Sequence, residues 1–176
     1  KNYIAMLENL FDLVKQHAGD AIINNPAIPN EHNDEAVSIA SGSIMDGLKG
    51  ALANGNMNDL LHMFSNSDNA AASPVSQGIQ GNLIQSLMGK FGINNSAAAG
   101  IASSLIPVVL QQFVSKTNDP NDSSFDIQSI VNNISGGKTS GMDIQGLLNQ
   151  FTGGGGGSTQ SSGGGGLADM VKGFFK

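Results

Sequence analysis

The sequence predicts an all-α fold: a compact array of short helices around a central Pro-kinked helix, then a Gly-rich tether and a short C-terminal amphipathic helix. Three observations lead there. Apolar residues recur at three- and four-residue steps along the chain, and no run alternates with the period of two that a half-buried strand requires. Gly, Pro and the capping residues Ser, Asn and Asp interrupt this pattern at roughly helix-length intervals. From residue 153 onward the pattern gives way to Gly, Ser, Thr and Gln. The expected division is a helical domain at 1–152, a linker at 153–166 and a docking helix at 167–176.

In residues 1–19, Ile4, Leu7, Leu10, Phe11 and Val14 share one helix face, and Gly19 reads as its stop. Pro26 and Pro29 make "AIINNPAIPN" a connector with at most one helical turn. Asn33 or Asp34 is placed to cap the next helix, whose stripe is Val37, Ala40, Ile44, Leu48 and Leu52. Gly42, Gly47 and Gly50 lie inside it. Each disfavours helix by about 1 kcal/mol relative to Ala, which predicts close packing against another helix. "NMNDLLHMFS" reads as a short helix and "NSDNAAAS" as a loop.

Ser73 before Pro74 is an N-cap followed by a first-turn proline. The stripe Val75, Ile79, Leu83, Leu87 and Phe91 follows, and Gly92 stands where a left-handed C-terminal cap belongs, with Ile93 as its apolar contact. A helix restarts near Ser96 with Ile101, Leu105, Val109 and Phe113 inward. Pro107 falls inside it and is expected to kink it and free the Ser103 carbonyl. The run "LIPVVL" predicts that this helix is central and surrounded.

Beyond "KTNDPNDSS" a short unit repeats. "DIQSIVNNIS", "DIQGLLNQFT" and "GLADMVKGFF" align, and the earlier "NMNDLLHMFS" fits their frame. Apolar residues fall at i, i+3, i+4 and i+7: Met57, Leu60, Leu61, Phe64; Ile127, Ile130, Val131, Ile134; Ile144, Leu147, Leu148, Phe151; and Leu167, Met170, Val171, Phe174. Helices this short are marginal alone, so each needs a surface to dock on. Two readings follow: convergent amphipathicity, or helices that use similar docking grooves.

"FGINNSAAAGIASSLIPVVLQQFVSKTNDP" resembles the signature of the YidB-like bacterial family of unknown function. Phe91, Gly92, Ile93, Ser96, Ala102, Leu105, Pro107, Val108, Val109 and Pro120 carry the likeness, which covers roughly 73–151. "DIQGLLNQFTGGGGG" is similar to the Gly-rich, short-helix C-termini of that family. The resemblance implies an all-α array of about six helices, one of them central, and no established enzymatic activity.

Charge narrows the function classes. The chain has no arginine and a net charge of −6, which argues against nucleic acid and anionic lipid. Charged residues make up 12%, against roughly 25% in ordinary soluble domains, so copies repel one another weakly. Without cysteine there is no disulfide, thiolate nucleophile or Cys-ligated metal. No continuous apolar run reaches the ~20 residues of a membrane span. No signal peptide is visible, which favours the cytoplasm; the first residue is Lys1 rather than Met, leaving an upstream segment open.

The chemical motifs are weak. "SGGKTS" has the end of a phosphate-binding loop, but Asn132 stands where the pattern needs its first Gly. "LMGKFGINNSAAAGIASSL" has helix-turn-helix form, yet the second helix offers Ala97, Ala98, Ala99 and Gly100 where base-reading side chains belong. His32 lies near Glu31, Asp34 and Glu35, a weak divalent-cation set that reads better as a solvated acidic helix start. "NDPNDSSFD" has oxygen ligands without EF-hand spacing. No catalytic, cofactor or metal residue is assigned, and no cofactor or small-molecule substrate is expected.

The last segment decides the expected function. Leu167, Met170, Val171, Phe174 and Phe175 form one apolar face, with Asp169, Lys172 and Lys176 facing away. It is placed to fold back on its own core, to dock on another copy, or to lie on a membrane. The expected function is that of a non-enzymatic self-associating structural or scaffolding protein, a homo-oligomer or polymer joined through this helix. The alternative is a membrane-peripheral or partner-adaptor module that uses the same helix for recognition.

Overall fold

The computed structural model describes residues 2–122, 125–136 and 146. Seven α-helices occupy these residues: α1 (Asn2–His17), α2 (Asn33–Ala53), α3 (Met57–Ser65), α4 (Ser67–Ala72), α5 (Pro74–Phe91), α6 (Asn95–Thr117) and α7 (Ile127–Ile134). No strand occurs among the described residues, and the helices pack on one another, so the fold is all-α.

Two helices act as hubs. α6 packs against α5, α4, α1 and α3, and α2 packs against α5, α1, α3 and α7. α5 lies against both hubs. Its stripe explains why: Val75, Ile79, Leu83 and Leu87 are all buried. The predicted inward set of α6, Ile101, Leu105, Val109 and Phe113, is buried too. α6 runs unbroken through Pro107. It is not surrounded, however. Gly100, Ser104, Val108, Gln112 and Ser115 form an exposed stripe along it, with Val108 at 42% exposure. Ser103, whose carbonyl loses its partner to Pro107, is itself exposed. By length and composition α6 would also cross a membrane, but half of its apolar window is buried inside this body, as expected of a core helix.

The helix ends follow the cap chemistry. The Ser73 hydroxyl accepts the Ser76 N–H at 3.0 Å, with Pro74 in the first turn. Gly92 has φ +64, the left-handed conformation that stops α5 without side-chain strain, and its N–H donates to the Met88 carbonyl. Asn94, not Ser96, opens α6 by accepting the Ala97 N–H at 2.8 Å.

Other expectations are corrected. α1 buries Met6, Leu10, Leu13 and Val14; Ile4 is 64% exposed, and Leu7 and Phe11 are half-buried. Past Ala18 the chain does not stop but makes a π-helical turn, Gly19–Ile23, in which Ile23 and Asn24 donate to Ala18 and Gly19 at 3.0 and 2.8 Å. α2 is entered through a 3-10 turn, Asn30–His32, and neither Asn33 nor Asp34 caps it. "NSDNAAAS" is not a loop: it contains α4, capped by Asn66, which accepts the Asp68 N–H at 2.9 Å. Of the three α2 glycines only Gly47 is closely approached, by the buried side chain of Ile79; a Cβ at Gly42 or Gly50 would meet nothing within 4 Å.

Candidate functional site

The two described copies of the repeated unit are α3 and α7. Their i, i+3, i+4 and i+7 positions lie on one helix face because 3.6 residues make a turn. Asn56 and Asp126, the first residue of each frame, are the N-cap residues, and the Asp126 carboxylate accepts the Ser129 N–H at 2.8 Å. Both helices pack against α2.

Between them lies an apolar cleft. One wall is the whole repeat face of α3: Met57, Leu60, Leu61 and Phe64. The other is the matching face of α7, Ile127, Ile130 and Val131, and Leu52 from the last turn of α2 closes one side. The cleft spans about 370 Å³ and opens to solvent. Every lining residue is apolar, so nothing in it would orient a polar small molecule. Leu60, Phe64, Ile127, Ile130 and Val131 are buried, while Leu52, Met57 and Leu61 are half-buried around the mouth. Apolar surface that remains wet beside a built groove is what a docking helix can cover.

The charges beside the cleft are acidic at both walls. Asp59 lies between Met57 and Leu60 in α3, and the exposed Asp126 directly precedes Ile127. Lys49, three residues before Leu52, has its own partner. Phe64 also reaches inward: its ring is 5.9 Å from that of Phe113, which meets Phe125 edge-on at 5.0 Å. Asn118, just past α6, donates to the Phe64 carbonyl at 2.8 Å and so satisfies a C-terminal group of α3 that the helix leaves without a partner.

The sequence motifs fall elsewhere. His32 approaches Glu35 at 3.3 Å and tilts against the Phe91 ring at 5.7 Å. Lys90 donates to Glu35 at 2.6 Å, so this cluster clasps the start of α2 to the end of α5. That hydrogen bond holds the Glu35 carboxyl below its ordinary range. Lys15, paired with Asp34 at 2.8 Å, is correspondingly raised. Among the described residues no group of three or more His, Cys, Asp or Glu converges on a metal position. In "NDPNDSSFD" the oxygens serve local turns: Asp119 accepts the Asn121 N–H, Asp122 pairs with Lys116 at 3.0 Å, and Asp126 caps α7. Leu167, Met170, Val171, Phe174 and Phe175, like the unit at 144–151 except Gly146 and the tether at 153–166, lie outside the described residues. Leu52 is the lining residue that the repeat frame does not contain; its place in the α2 stripe was its only sequence signal. Compared with protein-family models, with curated proteins and with solved structures, the chain matches none.

Proposed function

We propose that the chain is a non-enzymatic, self-associating structural or scaffolding protein whose helix at 167–176 docks on a neighbouring copy. One observation carries the reading: the two described copies of the repeated unit face each other across an apolar cleft lined by their repeat positions. The apolar face of this unit is therefore one that this body accommodates against its own kind, and the chain carries further copies of it. The low-charge composition supports the same reading, since it opposes contact between copies only weakly. The likeness to the YidB-like family belongs to this proposal, as it implies a helical array without established enzymatic activity.

Burial of the five apolar side chains contributes at most roughly 7–15 kcal/mol. Ordering ten helical residues costs on the order of 10–20 kcal/mol, so docking is reversible unless linked contacts reinforce it. Light scattering across a concentration series tests the reading. Wild-type mass should rise with concentration, and a chain with Phe174→Asp and Phe175→Asp should stay monomeric with an unchanged circular-dichroism melt. Equal assembly of the two chains would overturn it. Loss of liposome flotation in the double variant, without any change in mass, would establish the membrane-peripheral alternative instead.

A further inference from the structure

We propose that the cleft between α3 and α7 is the acceptor for residues 167–175 of a neighbouring copy; this rests on the self-association reading and names its receiving surface. Frame, charge and reach point to this occupant. Its apolar residues have the same i, i+3, i+4, i+7 spacing as the two helices that form the walls. A third helix of that spacing, laid into the mouth, covers Leu52, Met57 and Leu61, which the body leaves half-buried.

Charge separates this segment from the other unit outside the described residues. The unit at 144–151 contains no charged side chain. The segment at 167–176 carries Lys172 and Lys176 against one aspartate. The cleft has Asp59 on one wall and Asp126 at the start of the other, in a chain of net charge −6. Lysines beside an apolar helix face therefore meet carboxylates beside an apolar groove. The tether at 153–166 has a root-mean-square span of about 20 Å and a full reach of about 45–50 Å, enough to bridge to the cleft of an adjoining body of this size. Each copy is then donor and acceptor at once. Such an interface is heterologous: it closes into a ring or propagates as a filament.

Two half-dead chains test the assignment. One carries Phe174→Asp and Phe175→Asp, keeping its cleft; the other carries Leu61→Asp, keeping its segment. Each alone should be monomeric by light scattering, and an equimolar mixture should give a 1:1 heterodimer that grows no further. If the Leu61→Asp chain retains its melt and assembles like wild type, the cleft is not the acceptor, while the self-association reading stands. If the doubly substituted chain assembles like wild type, the self-association reading itself fails. A mixture that stays monomeric, with both chains folded, overturns docking between copies.

The absence of cysteine supplies a second measurement that does not need Leu61→Asp to fold. Leu61→Cys in one chain and Phe174→Cys in another should form a disulfide between chains on mild oxidation, because the bond requires Cα atoms about 4.4–6.8 Å apart. Ser104→Cys, on the exposed stripe of α6, is the control acceptor. Equal yields at positions 61 and 104, or a bond only within a chain carrying both the position-61 and position-174 cysteines, would overturn the proposal.

Discussion

Gly47 illustrates how a single residue can carry an interhelical contact. Its missing side chain lets Ile79 of α5 sit against the α2 backbone: a Cβ there would clash with Ile79 Cγ1 and lie 3.1 Å from its Cδ1. Ile79 is fully buried and has no open side to retreat to. Alanine gains about 1 kcal/mol of helix propensity at either Gly42 or Gly47. At Gly47 it also incurs overpacking, typically about 1–3 kcal/mol. Urea melts should therefore find Gly42→Ala stabilised by up to about 1 kcal/mol and Gly47→Ala destabilised by up to about 2 kcal/mol. Equal shifts in both variants would contradict the close approach. The three glycines look alike in sequence because propensity is a property of the residue, whereas the contact belongs to the partner that happens to face it.

Among the elements, those with large apolar stripes and strong caps were legible: α5 and α6 begin and end within a residue or so of where Ser73, Gly92 and the Asn-Asn-Ser stretch place them. α4 was not, because its only buried residue is Ala70, and six residues leave no room for a periodic stripe. It is held by packing on α6, a tertiary cause invisible in local pattern. The apolar repeat frame identified the lining of α3 and α7, but not that the two would share one cleft, since pairing is decided by how α2 positions them. The clasp between α2 and α5 makes a prediction at this scale. Glu35 is held below its ordinary pKa by Lys90, so the clasp stabilises the fold above the ordinary glutamate pKa of about 4.3 and is lost as pH falls through the lower folded-state value. Lys90→Ala should thus melt lower than wild type at neutral pH, with the difference closing in acid, and nuclear magnetic resonance titration should show the Glu35 carboxyl moving back up. A pH-independent difference would mean that Lys90 acts by packing alone.

For the whole molecule, the helices α1 to α7 bury their apolar stripes against one another and already form a continuous core. A chain ending at Thr152 should therefore keep its helical circular dichroism and a cooperative melt. Loss of that melt would make the last helix part of the core. The fold class was readable throughout because helical periodicity is local. The receiving surface was not, because it exists only once distant segments meet. Its geometry has one more implication. Phe64, on one wall, rests against Phe113; Phe125, two residues before Ile127 on the opposite wall, meets the same Phe113 ring edge-on at 5.0 Å. Phe113 is completely enclosed and comes from α6, which contributes nothing to the lining. A single hidden ring therefore acts as a spacer between the two jaws, gauging the aperture before anything enters it.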